Sequence, residues 1–191
     1  MHLAVVIPVK SFTMAKGRLA DTLTASQRSA LAQSCAETVI RAALPLPTYV
    51  VCSDEGVASW ATALGAHVVD CQTPGLDIAV TTGCAAAEAD GADHVIVAHA
   101  DLPLAIGFKH IVREGKVSLV PDRHRDGTNV LSFPTSSSFT TAYGPGSCDN
   151  HIRLAIDAGL EYEIIIDNAL ALDLDTADDL SELARRETEQ P

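Results

Sequence analysis

His94-Val95-Ile96-Val97-Ala98-His99-Ala100-Asp101-Leu102-Pro103-Leu104 decides how the rest of the chain is read. Val95 to Ala98 is an unbroken run of β-branched and small apolar residues, the pattern of a strand buried on both faces inside a parallel sheet. An acid, Asp101, ends the stretch. Ligands of open α/β sheets gather at the carboxyl ends of strands, so a carboxylate there, stiffened by Pro103, is placed to hold a metal or a metal-bound phosphate. The same Asp-Leu-Pro also fits an ordinary turn.

The surrounding composition narrows the possibilities. At 191 residues the chain is long enough for one well-buried domain, predicted over 1–186 with a frayed tail at 187–191. Hydrophobic residues make up 47%, yet no apolar run approaches the roughly 20 residues of a membrane span. Met1 to Val6 lacks a basic leader and a cleavage pattern, so it reads as a first strand of a cytoplasmic protein. The cysteines Cys35, Cys52, Cys71, Cys84 and Cys148 are odd in number, scattered and without a C-x-x-C pair, which points to reduced thiols rather than disulfides or zinc. A net charge of -12 disfavours a nucleic-acid face. An anionic ligand then needs a local group of Lys and Arg or a divalent cation.

Working outward, strands and helices alternate. Leu3 to Val9 reads as a strand, and Thr24-Ala25-Ser26-Gln27 as a capping box opening a helix to about Ala43. Tyr49 to Cys52 is a second strand, Asp54 caps a helix over Val57 to Ala63 that Gly65 ends, and Ala66 to Asp70 is a third strand. A small-residue helix over Ile78 to Ala89 leads into the central strand, followed by a short helix over Ile106 to Arg113. Val117 to Val120 and Asn129 to Phe133 pair antiparallel across an Arg-rich loop. A helix over Asp149 to Ala158, a strand over Glu161 to Ile166 and a helix to about Arg186 complete the set. The expectation is an α/β fold with a mostly parallel central sheet and a small antiparallel part.

Four loops carry possible chemistry. Three of the thirteen Lys and Arg residues, Lys10, Lys16 and Arg18, fall between positions 10 and 18, where they either neutralise a triphosphate or form a solvated basic loop. This is no P-loop, since G-x-x-x-x-G-K-[ST] is absent. Pro74-Gly75-Leu76-Asp77 stands at a strand-to-helix junction where Gly75 permits close backbone approach, unless it is only a turn. Tyr143-Gly144-Pro145-Gly146-Ser147 offers N–H groups at a helix entry for a phosphate, or merely an N-cap at Ser147 or Asp149. In Leu172-Asp173-Leu174-Asp175-Thr176 the two acids share one face of extended chain, suiting a hard divalent cation; Thr176 with Asp178 or Asp179 also fits a capping cluster.

Covalent catalysis has little support. An aspartyl-phosphate nucleophile precedes most of its fold, whereas Asp175 stands near the end of this sequence. His94, His99, His110, His124 and His151 lack helical i, i+4 metal spacing, and no Ser or Cys sits in a nucleophile motif. A basic loop, separated acids and a second phosphate cradle form a nucleotidyl-transfer layout. An attacking phosphate is largely dianionic at pH 7, with a second pKa of about 6, and needs no general base. Catalysis then rests on in-line positioning and charge neutralisation.

Six motifs in order carry a resemblance across nearly the whole chain. They are Ile7-Pro8-Val9-Lys10 with Ala15-Lys16-Gly17-Arg18-Leu19; Pro74-Gly75-Leu76; Ala100-Asp101-Leu102-Pro103-Leu104; Pro121-Asp122-Arg123-His124 with Gly127-Thr128-Asn129; Tyr143-Gly144-Pro145-Gly146-Ser147 with His151; and Asp173-Leu174-Asp175-Thr176 with Asp179-Leu180. Together they resemble the guanylyltransferases of deazaflavin coenzyme F-420 biosynthesis, which act on 2-phospho-L-lactate or phosphoenolpyruvate. The resemblance implies a single-domain, Rossmann-like nucleotidyltransferase fold of the GT-A and MobA-like kind, and reaction of GTP with a phosphorylated three-carbon acid to release pyrophosphate. It implies Mg2+ on Asp101, Asp173 and Asp175, and catalytic roles for Lys16, Arg18 and Asp101. Lys10, Lys16 and Arg18 would meet the GTP phosphates, with Pro8, Val9, Gly75, Leu76 and Asp77 near guanine and ribose. Thr128, Asn129, Gly144, Gly146 and Ser147 would hold the acceptor, and a labile product would pass to the next enzyme. The family usually has Gly-Leu-Asn where this chain has Gly75-Leu76-Asp77; Asp77 can still accept from guanine N1 and N2 but adds charge near an anionic nucleotide.

Two other readings stand beside this one. A nucleotidyltransferase of the same fold could use 3-phosphoglycerate, a sugar phosphate or a molybdopterin as acceptor. A nucleotide-binding regulator without turnover is a non-enzymatic alternative, against which the presence of all three acids counts.

Overall fold

Runs of Val, Ile and Ala that no polar residue interrupts become strands with both faces covered. In a computed structural model, which describes residues 1–189, the chain runs β1 (Leu3–Pro8), α1 (Ala25–Ala43), β2 (Thr48–Cys52), α2 (Glu55–Ala63), β3 (His67–Asp70), α3 (Leu76–Ala89) and β4 (His94–Ala98). It continues through β5 (Val117–Pro121), β6 (Thr128–Pro134), α4 (Ser147–Asp157), β7 (Tyr162–Ile164) and α5 (Ala177–Glu189). The predicted capping box is formed: Thr24 Oγ1 accepts from Gln27 N–H at 3.3 Å, and Gln27 Oε1 accepts from Thr24 N–H at 2.9 Å. Asp54 caps α2 by accepting from Val57 N–H at 2.9 Å.

The seven strands lie in the order β3-β2-β1-β4-β6-β5-β7. Only β6 runs against its neighbours β4 and β5, so the other strands end on one edge. β1 lies between β2 and β4, which makes the β1/β4 boundary the switch point where a doubly wound sheet opens a crevice. One face buries Ile7, Val50 and Ile96 against Val39 and Ile40 of α1 and Val57 and Ala61 of α2. The other buries Val6, Val51 and Val97 against Val80 and Ala87 of α3 and Cys148 and Ala155 of α4. Gly83 lets α3 sit directly on the sheet, because a Cβ there would lie 2.5 Å from Val6 Cγ1 and 2.6 Å from Val51 Cγ2. This seating fixes the start of α3 beside the crevice.

Two predicted elements come out differently. The helix predicted over Ile106 to Arg113 is one 3-10 turn, Lys109–Ile111. Phe108 and Ile111 must both be buried under the sheet, and the Ile111 carbonyl accepts from Ser118 Oγ at 2.5 Å instead of continuing a helix. At the other end, α5 passes the predicted stop at 186 and reaches Glu189, where Arg185 pairs with Glu182 at 2.8 Å and Glu189 at 2.6 Å. The last part of the predicted tail, residues 190–191, lies outside the described residues. Among the described residues, no helix is long and apolar enough to cross a membrane.

Candidate active site

The ends of β1 and β4 open into a cleft of about 400 Å³ at the switch point, lined by Pro8, Val9, Lys10, Lys16, Leu76, His99, Asp101 and Asp175 among others. Two residues, His99 and Ala100, separate Asp101 from the end of β4, so the acid reaches the crevice from a turn rather than directly from the strand. The loop after β1 bends at Lys16, which has φ 57° and ψ 40°, a left-handed conformation that is uncommon for a residue with a side chain. This bend leaves the lysine side chain 6% exposed, with Nζ 2.7 Å from Asp101 Oδ2 and 3.2 Å from Asp175 Oδ1. Arg18 Nη1 lies 3.7 Å from Asp175 Oδ2.

The acids of the last loop arrive by alternation. Leu172 and Leu174 are fully buried against Cys35 of α1 and Leu180 and Leu183 of α5. Asp173 and Asp175 are thereby turned toward Asp101, and one carboxylate oxygen from each of the three lies within 4.8 Å of the others. Leu174 N–H donates to the Asp101 carbonyl at 3.2 Å, tying the two acidic segments through the backbone. Asp175 is held further: Asp179 Oδ2 accepts from Asp175 N–H at 3.0 Å and from Thr176 N–H at 2.7 Å, and Arg123 Nε anchors Asp179 Oδ1 at 2.9 Å. The capping reading of the Thr176 region is observed, and the capping cluster is also what positions Asp175 beside the other acids. Arg123 and Asp179 each stand in a quoted motif, but nothing local shows that they pair across 56 positions.

Burial would raise the Asp101 carboxyl, yet the Lys16 ammonium, His99 and hydrogen bonding together hold the group below its ordinary range. For Lys16, burial works downward, but Asp101 and Asp175 prevail and push it up. Asp173 is raised, by burial first and the Asp101 charge second. Asp101 Oδ1 is buried and has no hydrogen-bond partner among the described residues. Three crowded carboxylates, one with a free buried oxygen, are a donor set suited to a hard divalent cation.

The predicted acceptor residues are differently employed. Asn129 is 2% exposed, and its Nδ2 donates to the Leu170 carbonyl at 3.0 Å and to Asp173 Oδ1 at 3.2 Å; it braces an acid from beneath instead of facing the cleft. Thr128 is also buried, with Oγ1 3.0 Å from His151 Nδ1. Gly144 and Gly146 have φ of 123° and 70°, and no atom lies within 4 Å of a Cβ on either, so this backbone is open to approach. Its N–H groups are largely taken, however. Gly146 N–H donates to Asp126 Oδ1 at 3.2 Å, Ser147 N–H to the Gly144 carbonyl at 3.1 Å, and Cys148 N–H to the Asp126 carbonyl at 3.0 Å. An internal carboxylate thus answers the start of α4, where the sequence reading places an external phosphate, and Ser147 is not its N-cap.

His151 has a fixed tautomer. Ala142 N–H can only donate, so His151 Nε2 accepts it at 3.1 Å, leaving the proton on Nδ1 to be donated to Thr128 Oγ1. Burial depresses this imidazole from 6.5 to about 4. Above pH 6.5 the folded and unfolded forms are both neutral there; below it only the unfolded form takes the proton, so stability falls with pH until about 4. The loss at this residue approaches about 3 kcal/mol at its fullest. Denaturant unfolding between pH 7 and 4 is expected to show a shallower decline for His151→Gln than for the unmodified chain; parallel declines would contradict the assignment. The comparison is needed because His94 is also depressed by burial.

The family described as "Guanylyl transferase CofC like" matches residues 3–188. A phosphoenolpyruvate guanylyltransferase of Conexibacter woesei is 35% identical over 190 residues, spanning 93% of this chain and 85% of that protein. One from Chloroflexus aggregans is 28% identical over 198 residues, spanning 97% and 98%. Among solved structures, a protein of Desulfovibrio desulfuricans G20 provisionally described as a nucleotide-diphospho-sugar transferase superposes with a TM-score of 0.80 at 16% identity, over 99% of this chain and 89% of that one. At such identity the likeness concerns the fold alone, a Rossmann-like α/β architecture.

Proposed function

This chain belongs to the family of CofC-like guanylyl transferases, and from that premise we propose that it transfers GMP from GTP to a phosphorylated three-carbon acid, phosphoenolpyruvate or 2-phospho-L-lactate, with release of pyrophosphate. Phosphoenolpyruvate is the first acceptor to consider, since the relatives carry it in their names. The observation that carries the reading is the meeting of Asp101, Asp173 and Asp175 beside Lys16 in the switch-point cleft.

The chemistry asks for charge control more than proton transfer. An oxygen of the acceptor's phosphate forms a bond to the α-phosphorus of GTP, while the bond from that phosphorus to the bridging oxygen breaks and pyrophosphate departs. The attacking phosphate is already mostly dianionic near neutral pH, with its second pKa at about 6, so no residue need remove a proton. Lys10, Lys16 and Arg18 supply positive charge to the triphosphate from the loop after β1. Asp101, Asp173 and Asp175 would hold Mg2+, which when bound neutralises charge on the nucleotide and leaving group. Pro8, Val9 and Leu76 line the cleft, with Gly75 adjoining Leu76 at the start of α3, and border a space for base and ribose. Asn129 keeps Asp173 in place, and the open backbone at Gly144 and Gly146 with Ser147 borders the acceptor, although its N–H groups are largely committed to Asp126 and Gly144.

The product is a mixed phosphate anhydride, an activated compound suited to direct use by the next enzyme of coenzyme F-420 assembly. A cytoplasmic setting accords with five thiols that are all unpaired.

Purified protein with GTP, Mg2+ and a panel of phospho-acids tests the proposal by pyrophosphate release and product mass. A guanylyl adduct of phosphoenolpyruvate or phospholactate is expected. Turnover only with 3-phosphoglycerate or a sugar phosphate would reassign the acceptor, and GTP binding without pyrophosphate release would make the protein a regulator.

A further inference from the structure

Asp77 stands at the second residue of α3, next to Leu76 in the cleft wall, where the sequence reading gives its carboxylate to guanine. That carboxylate is engaged elsewhere. Its Oδ1 accepts from Thr141 Oγ1 at 2.7 Å and from Tyr143 N–H at 3.0 Å, and its Oδ2 lies 3.2 Å from the same amide. From α4, His151 Nε2 takes the intervening Ala142 N–H at 3.1 Å. Residues 141–143 belong to no helix or strand, so side chains of two helices supply the partners that secondary structure would otherwise provide. The Tyr143 ring rests on His99, with centroids 5.3 Å apart, and His99 lines the cleft two positions before Asp101. Gly144, Gly146 and Ser147 follow at once.

An anion beside a triphosphate is unfavourable unless its charge is already answered. A hydroxyl and an amide answer it here, and both come from the segment that leads to the proposed acceptor site. We infer that Asp77 is a positioning residue for the acceptor: by fixing Thr141 and Tyr143 it sets where Gly144 to Ser147 stand relative to the acid cluster, and it does not read the base. The inference rests on the guanylyl-transfer reading above. It assigns one carboxylate the task of joining the nucleotide wall to the acceptor loop.

Steady-state kinetics of the full chain with GTP and the acceptor active in the panel test this. Asp77→Ala is expected to raise the acceptor KM by about tenfold or more, as displaced positioning groups do, with the KM for GTP within about twofold. Asp77→Asn, which keeps an acceptor oxygen for Thr141 and Tyr143, is expected to recover most of the loss, and preference for GTP over ATP should stay the same in both variants. Thr141→Val removes one of the bonds without touching α3 and should shift the acceptor KM in the same direction; it decides the matter if Asp77→Ala does not fold. A rise in the KM for GTP matching that for the acceptor, a changed base preference, or an Asn variant as impaired as Ala would overturn the inference while leaving guanylyl transfer standing. An unmodified chain inactive with every acceptor would overturn both.

Discussion

Asp101→Asn is expected to lower pyrophosphate release by about 10²- to 10³-fold or more, the scale on which loss of one transition-state charge partner acts, while the protein stays folded. Asp101 ties the site together: it meets Lys16 through Oδ2, Asp175 through that same lysine, and Leu174 through its carbonyl. Its second oxygen is buried without a partner, a position that charge-neutral asparagine fills with an N–H₂ group. That amide would point its protons where a cation is proposed to sit. The buried ion pair with Lys16 is lost, although Asp175 Oδ1 stays 3.2 Å from the ammonium as a counter-charge, and two opposing effects modify that cost. The buried amide left unpaired costs about 1–3 kcal/mol. Against this, removing one of three crowded negative charges relieves the repulsion that helps raise Asp173. Circular dichroism and denaturant titration should therefore show a native fold whose stability falls by no more than about 3–5 kcal/mol, the cost of a broken buried pair. A folded variant retaining a tenth of normal turnover would remove Asp101 from the reaction.

The parts of this site that could be read in advance are those set by local pattern. The unbroken Val95-Ile96-Val97-Ala98 run predicts β4 because burial on both faces leaves no place for alternation, and Leu172/Leu174 against Asp173/Asp175 predicts two faces because the period of extended chain is two. What was not legible is which distant group a polar side chain meets. The resemblance gives Thr128 and Asn129 to the acceptor, and only the packing of β6 against α4 and residues 170–173 shows them as buried struts. Asp126 meets Gly146 across 20 positions and Asp77 meets Tyr143 across 66. Such pairs follow from how helices seat on the sheet, as Gly83 seats α3, and not from residue spacing. The short helix around Ile106 to Arg113 fails for a related reason: burying both Phe108 and Ile111 outweighs local helical preference, leaving one 3-10 turn.

Lys16→Met is expected to act in two directions at once, lowering turnover by about 10²-fold or more and strengthening divalent-cation binding to the nucleotide-free protein. The side chain is 6% exposed and its ammonium lies between two of the three acids, 2.7 and 3.2 Å away, so it competes for the oxygens a divalent ion would use. At an effective dielectric of about 20, a unit charge at roughly 3 Å is worth several kcal/mol. Removing it should raise Mn2+ affinity at least about tenfold, read by electron paramagnetic resonance titration without nucleotide. In the absence of any divalent ion the same variant should be less stable than the unmodified chain, because breaking a buried pair leaves Asp101 charged and uncompensated at a cost of about 3–5 kcal/mol, and Mg2+ should restore much of that loss. Lys16→Arg is not expected to rescue turnover, since a planar guanidinium does not replace a compact ammonium between two carboxylates. If Lys16→Met binds Mn2+ no more tightly than the unmodified chain, the lysine does not share its seat with the cation. If instead affinity rises as turnover falls, the ammonium must leave the acids for the cation to enter. The triphosphate gives it an anionic place to go, and nucleotide and metal then assist each other's binding through this one side chain.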